Sequence, residues 1–480
     1  MTAPSFMPGA FAEWTGGTWH GGMPAAIRGV SNDTRTLAPG NLYVALRGGN
    51  CDGHSFVADA FAKGAAGAMV CSDWRAPDPP GGPVLRVPDT AKALRAAAAA
   101  YRRALNPRMI AVTGSVGKTT VKEMTASVLS AKCVTARTHG NWNNDLGLPL
   151  SLLAMDPRAR LGVFELGTNH PGELEPLCEL LAPDVGMVTM IAPVHIEFFS
   201  SVEAIAREKA AVFRCLPRDG VGIYCADDGQ AGVLAAELKC RSVTVAIGGA
   251  ADYTAAFEHG DSGPAVARER DTGQSCRFRV PLPGSHHLVN ALFAVAAGRL
   301  HGIGWDDIKS ALEAYRTPPM RWERSMLLGA LVVNDAYNAN PVSMRAALRS
   351  FARQEVMGRK WVVLGGMREL GRFEEEEHAA LGRDAAAAAP WAGLVTVGRL
   401  GELIARAAAG RGPGRLAHCA DHAEAAAFLA RFVRPGDAVL LKASRGERLE
   451  EVLKLWALAA GAAPEPIRES DRDAVLPAGA

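Results

Sequence analysis

Residues 113–120 read TGSVGKTT. Two glycines, a lysine and paired threonines at this spacing suit a loop that cradles phosphate. Backbone N–H groups and the positive end of a following helix face the anion, Lys118 brings a mobile charge to the β and γ phosphates, and the Thr119 hydroxyl suits a magnesium ion. Gly114, Ser115, Val116, Gly117, Lys118, Thr119 and Thr120 are the resulting candidates for nucleotide binding. The common form of such a loop is G-x-x-x-x-G-K-[ST], yet counting back from Gly117 puts Val112 at the first glycine position. On these residues alone, an ordinary strand-to-helix turn stays open.

A magnesium nucleotide at this loop requires polar groups at the carboxyl ends of neighbouring strands. Glu165 ends the run GVFELG, and His195 follows VGMVTMIAP. Either one, taken singly, also reads as a solvated loop residue. In SVEAIAREKAAVF, 201–213, Val202, Ile205, Lys209 and Val212 fall at i, i+3, i+7 and i+10, which puts Lys209 on the apolar face. Two readings stand side by side: a stem that snorkels to water, or an amine held near the site with a lowered pKa.

The elements that position these groups follow from hydrophobic rhythm. RMIAVTG ends in a strand, and KTTVKEMTASVLS opens a helix with Val121, Met124, Val128 and Leu129 at helical spacing. Before it, NLYVAL, GAMV and PVLRVP alternate with turns, and ALRAAAAAYRRAL, 93–105, predicts a helix ending at a Pro107 boundary. After it, GVFELG, VGMVTMIAP and GVGIYCADD carry the rhythm of a largely parallel α/β sheet to about residue 320. From 323, ALVVNDA, KWVVLGGM, GLVTVG and DAVLLKAS restart it as a second, doubly wound unit. Three α/β domains are expected, over 1–107, 108–322 and 323–480.

Composition narrows the partners. Lys plus Arg number 52 against 50 Asp plus Glu, so no overall field favours nucleic acid or an anionic membrane surface. The nine cysteines are scattered without metal-ligand spacing, as expected of reduced, mostly buried thiols in the cytoplasm. No apolar run suits a signal peptide or a membrane span. A soluble cytoplasmic monomer is expected, with no nucleic-acid partner and no membrane insertion.

TGSVGKTT, GNWNNDLGLPL (140–150), ELGTNHPGE (165–173) and HIEFFSSVEAIAREKAAVF (195–213) together resemble the Mur ligase family, ATP-dependent amide-forming enzymes of peptidoglycan precursor synthesis. The family loop is T-G-[TS]-x-G-K-[TS], so the missing glycine is its pattern. LPGSHHLVNALFAVAAG, PMRWER, DAYNANPVSM, LGGMRELG and KASRG follow in family order, and SNDTRTLAPGNLYVALRGGNCDGHSFV resembles the domain that binds the uracil nucleotide. The resemblance implies a small mixed α/β uracil-nucleotide domain, a central P-loop ATPase-like domain and a C-terminal Rossmann-like domain. Within the family, DAYNANPVSM resembles members that add D-alanyl-D-alanine to UDP-N-acetylmuramoyl-tripeptide through an acyl phosphate. Ligases that add a single amino acid, and a non-ligating nucleotide switch, are the alternatives.

The same resemblance assigns roles. Lys118, Glu165, His195, Lys209 and Arg321 would serve catalysis, with ATP and Mg²⁺ as cofactors. Thr119, Glu165, His195 and Lys209 would form the metal site, Lys209 as the lysine that the family carbamylates. Asn290, Arg321, Asp335, Tyr337, Asn338 and Asn340 would contact the nucleotide. Thr34, Arg35, Asp52 and His54 would surround the uridine diphosphate, while Asn141 and Asn144 would position phosphate or substrate. Lys442, Ser444 and Arg445 would meet a peptide carboxylate. The chain departs from the family at Gly366, where an Asp is usual, at Ala443, where a glycine is usual, and at Ala211, where Glu is frequent.

Overall fold

Apolar strand runs collect into three sheets in the computed structural model, which describes residues 4–49, 51–75, 81–194, 196–280, 282–411 and 414–467. Among these residues the first sheet has five short strands, in the order Thr18–His20, Val84–Val87, Gly67–Cys71, Leu42–Val44 and Val30–Ser31. The first pair is antiparallel and the others are parallel. The predicted helix runs over Thr90–Leu105, starting earlier than 93 because Asp89 caps it through the Ala91 and Lys92 amides. Its buried residues Ala93, Leu94, Ala97, Ala98 and Tyr101 share one face, and the Tyr101 hydroxyl donates to Met155 O at 3.0 Å, tying it to the central region.

The central sheet has nine strands. Its order is Ser275–Val280, Gly263–Glu269, Tyr253–Phe257, Arg241–Ala246, Val221–Cys225, Val185–Val188, Arg108–Thr113, Leu161–Glu165 and Thr135–Arg137. The ladders from Thr135–Arg137 to Tyr253–Phe257 are parallel, and the last two strands add antiparallel pairs. The wholly apolar strands are the ones legible in sequence. The strands between 241 and 280 alternate buried and exposed residues, so their apolar signal is halved. Arg108–Thr113 lies between Leu161–Glu165 and Val185–Val188, so the carboxyl ends of three parallel strands converge on one rim.

The segment expected as one helix over 201–213 is two, Val202–Lys209 and Ala211–Arg214, joined at Ala210. Lys209 therefore closes a helix instead of lying mid-helix. All nine cysteines are free; four are buried, four are half-buried and Cys51 is exposed, fewer buried than expected. No helix among the described residues is long and apolar enough to cross a membrane.

In the third sheet Arg415–Cys419, Gly393–Val397, Lys360–Leu364, Ala438–Lys442 and Ala330–Asn334 run parallel, and Glu323–Leu327 and Glu465–Pro466 follow antiparallel at the edge. Ala438–Lys442, the last of the parallel strands in the chain, enters between two earlier ones, bringing the segments after Asn334, Leu364 and Lys442 together. One apolar core continues from the central sheet through Leu288 and Leu292 to Met344 and Leu364.

Asp437 anchors that inserted strand. Its buried carboxylate accepts from Arg359 N (2.8 Å), Arg434 N (3.0 Å) and Trp361 Nε1 (2.9 Å). Burial alone would raise its pKa, but the bonds from Arg359, Trp361 and Arg434 outweigh it and hold it below the ordinary carboxylate range. That stability is present above the unfolded value near 3.9 and is lost as pH falls through the lower folded value. Asp437→Asn turns an NH2 donor toward these donors in place of a carboxylate oxygen and should cost about 2–3 kcal/mol in urea unfolding.

Candidate functional site

The loop after Arg108–Thr113 takes its shape from two glycines in backbone conformations closed to other residues. Gly114 has φ +142° and Gly117 has φ +89°. A Cβ on Gly114 would lie 2.0 Å from Thr189 Oγ1, and one on Gly117 would lie 2.6 Å from Asn290 Oδ1. The loop is also stitched to the segment after Val185–Val188. Ser115 N donates to Met190 O (2.9 Å), Ser115 Oγ to Ala192 O (2.9 Å) and Thr189 Oγ1 to Val116 O (2.6 Å). Thr120 is buried in the first turn of the helix Lys118–Ser130. Lys118 folds back over the loop, donating to Gly114 O at 2.9 Å and Ser115 O at 3.3 Å. Burial lowers the pKa of its ammonium and Arg321 adds to this, while Glu165 opposes it.

Glu165 faces this loop from the neighbouring strand. One carboxylate oxygen accepts from Thr119 Oγ1 at 2.8 Å, the other from Asn143 Nδ2 at 2.8 Å, and the residue is only 3% exposed. Its own N–H donates to Thr138 Oγ1 at 2.7 Å. Lys209 is buried at the end of Val202–Lys209, while its neighbour Glu208 accepts from Gly172 N (2.9 Å) and Leu174 N (3.0 Å). Burial, with Lys118 adding, pushes the Lys209 amine down to about 7 against the pull of Glu208, Glu173 and Glu165. At neutral pH it is therefore shared between charged and free-base forms.

His195 lies outside the described residues. Among those described, no three His, Cys, Asp or Glu side chains gather into a metal cage. The oxygen pair of Thr119 and Glu165 still fits Mg²⁺, which takes few protein ligands and completes its shell with phosphate and water. Unmodified, the Lys209 amine is no ligand for such a hard cation.

The third sheet brings a second set of groups. Arg321 stacks over Tyr337, with Cζ 4.1 Å from the ring centroid. Its neighbours Met320 (φ +59°) and Trp322 (φ +55°) both lie in the left-handed region, so non-glycine residues carry that strain on either side of the arginine. Tyr337 N donates to Met320 O (3.1 Å) and Trp322 N to Asp335 Oδ1 (3.1 Å), sewing the hinge to the loop after Ala330–Asn334. Central and C-terminal parts also meet where Arg353 pairs with Asp261 at 2.8 Å.

Several expectations are revised. Lys442 is 3% exposed and donates to Asp335 Oδ2 (2.6 Å) and Asn338 O (3.1 Å); Ser444 Oγ donates to Ala339 O (3.2 Å). Both shape the 335–340 loop from within and have little left for a peptide carboxylate. Arg445 is half-exposed and pairs with Glu450 at 2.5 Å. Asn340 caps Pro341–Arg353 in a reciprocal arrangement with Ser343, which occupies its side chain, and Asn338 Oδ1 accepts from Ala339 N. Asn144 accepts from Gly147 N at 2.8 Å and Asn141 is exposed; Asn143, passed over in the sequence, reaches Glu165. The GNWNND run offered three asparagines without a local signal to choose among them.

In the first sheet, His54 points inward. Its Nε2 accepts from Cys71 N (2.9 Å), so Nδ1 carries the hydrogen and donates to Asp52 Oδ1 (2.6 Å). His54 is thereby committed to the fold, while the Asp52 carboxylate stays half-exposed. Thr34 is buried. Arg35 remains at the surface in a two-pronged bond to Asp33 (2.9 and 2.7 Å) and is free to change partner. At Gly366 a Cβ would stand 2.6 Å from Leu400 Cβ, so packing against Leu400 leaves no room for the Asp that the resemblance implies there.

Gly114→Ala should test the loop. The collision with Thr189 and the forced φ cost on the order of 1–3 kcal/mol. Nucleotide affinity by calorimetry should fall at least about tenfold, with the remainder of the fold intact by circular dichroism.

Comparison with known proteins places this geometry. Residues 112–298 match the family model described as Mur ligase middle domain, 320–445 that of Mur ligase, glutamate ligase domain, and 26–102 that of Mur ligase family, catalytic domain. UDP-N-acetylmuramoyl-tripeptide–D-alanyl-D-alanine ligase of Bacillus subtilis (strain 168) is 37% identical over 433 residues, 89% of this chain and 93% of its own. Among solved structures, MurF from Acinetobacter baumannii has a TM-score of 0.85 at 30% identity, covering 95% of this chain and 99% of its own. MurF ligase from Thermotoga maritima in complex with ADP has a TM-score of 0.76 at 26% identity, covering 89% and 96%. With its three regions matched in order and a phosphate loop, buried carboxylate and hinge arginine arranged around one rim, the chain belongs to the Mur ligase family.

Proposed function

We infer that the chain is the ATP-dependent ligase that joins D-alanyl-D-alanine to the terminal carboxylate of UDP-N-acetylmuramoyl-tripeptide, acting as a cytoplasmic monomer. The observation that carries the chemistry is the buried pair Thr119 and Glu165, with half-buried Asn143 on the second carboxylate oxygen, beside the glycine loop and Lys209. The substrate pair follows from relatives that carry this activity in their names over nearly the whole chain.

A carboxylate does not acylate an amine, because its leaving group would be oxide. ATP, the co-substrate, changes that. The tripeptide carboxylate oxygen bonds to the γ-phosphorus as the bond from that phosphorus to the β-γ bridging oxygen breaks, leaving ADP and an acyl phosphate. The dipeptide amine then bonds to the acyl carbon, the carbon–oxygen bond to phosphate breaks, and the nitrogen releases a proton as inorganic phosphate leaves. The loop 114–120 would hold the phosphates, and Lys118 would neutralise charge on the transferred group. Thr119 and Glu165 would hold Mg²⁺, which when bound offsets negative charge on phosphate oxygens, with His195 as the candidate for a second ion. Arg321 would reach the γ-phosphate on domain closure, and Asn290, Asp335 and Tyr337 would border the nucleoside. Domains over 1–107, 108–322 and 323–480 would bring uracil nucleotide, ATP and dipeptide to one cleft.

Lys209 would enter as a carbamate. CO₂ adds to the free-base amine with loss of a proton, and the lowered pKa makes that form available near neutral pH. The product supplies a carboxylate where a cation is costly.

Three measurements test this reading. Mass spectrometry should find a product heavier by the dipeptide minus water, formed only with ATP and both substrates. Preferential use of a single amino acid, or hydrolysis indifferent to both substrates, would refute it. Lys209→Ala should lower kcat by roughly 10²-fold or more, with partial rescue by acetate, and carbon-13 bicarbonate labelling of the wild type should rise with pH through about 7. Full activity of Lys209→Ala would remove that residue from the site.

A further inference from the structure

One helical turn beyond Lys118, on the same face, lies a second lysine to which the reaction assigns nothing. The Lys122 side chain is 0% exposed. Its Nζ donates to Thr138 O at 3.2 Å and Gly140 O at 3.3 Å and pairs with Glu123 Oε1 at 2.7 Å. Glu123 in turn pairs with Arg137 at 3.0 Å, at the end of the strand Thr135–Arg137. A buried ammonium is costly unless fully partnered, and filling the space alone would suit an apolar side chain better. What the charge secures is two carbonyls of a segment that leaves the sheet.

That segment leads to Glu165 twice. Thr138 Oγ1 accepts the Glu165 N–H at 2.7 Å, and Asn143, five residues on, donates to Glu165 Oε1 at 2.8 Å. With Oε1 taken by Asn143, Oε2 is left to face Thr119. We propose that Lys122 is a positioning residue for phosphoryl transfer: it pins segment 138–143, through which Thr138 and Asn143 fix the orientation of the Glu165 carboxylate toward Thr119. This rests on the reading of Thr119 and Glu165 as magnesium ligands.

The experiment titrates ATP by calorimetry into the wild type, Lys122→Met, Lys122→Arg and Asn143→Ala, each with magnesium and with chelator, alongside thermal melting. Wild-type affinity should depend on magnesium. Lys122→Met and Asn143→Ala should each lose about tenfold in magnesium, the scale for removing support behind a metal ligand, and under about twofold in chelator on the same scale. Lys122→Arg, which keeps the charge, should recover part of the loss. Equal losses in both conditions would reduce Lys122 to a structural role and overturn the proposal. Unchanged magnesium-dependent affinity in Asn143→Ala would overturn it even if Lys122→Met failed to fold. Absence of magnesium dependence in the wild type would instead refute the reading of Thr119 and Glu165.

Discussion

The arrangement of the site depends on one buried carboxylate. Glu165 has almost no contact with water, and the hydroxyl of Thr119 and the amide of Asn143 take its two oxygens from opposite sides. A carboxylate so enclosed is tolerated because each oxygen is hydrogen-bonded, and it holds negative charge beside a loop built to receive phosphate. Its position is a consequence of sheet order. Arg108–Thr113 and Leu161–Glu165 are parallel neighbours, with Val112 opposite Glu165 in the ladder, so loop and carboxylate emerge at one level.

Charge balance around that carboxylate explains the other buried groups. Lys118 lies over the loop and adds to the burial that lowers the proton affinity of Lys209, and Arg321 adds positive charge beside Lys118. Lys118 and Arg321, with the partly charged Lys209, bring positive charge to the loop side of Glu165, where polyphosphate can complement it. The hinge contributes through strain as well as charge. Met320 and Trp322 hold left-handed conformations on either side of Arg321, and their bonds to Tyr337 and Asp335 keep the arginine on the aromatic ring.

Much of this is legible in the sequence. The glycine loop, the strand before it and the helix after it declare themselves by composition and period, and Glu165 by its place at the end of an apolar run. Lys209 stood out as a charge on an apolar face, and burial with a depressed pKa resolves that ambiguity against simple snorkelling. The alternating strands between 241 and 280 were missed because half of their residues face water. The two-helix break at Ala210 was missed because alanine carries no stop signal.

The chain by itself determined the order of strands, turns and helices and the chemistry of the phosphate loop, since periodicity, glycines and caps act among near neighbours. Partnerships between distant residues were decided only in the tertiary structure. Thr119 and Glu165 are 46 residues apart, and Lys442 and Asp335 are 107 apart. Whether Asn143 or Asn144 meets the carboxylate, or whether Lys442 faces a ligand or an inner loop, turns on a few ångströms set by sheet register and packing. Local sequence has no term for such distances.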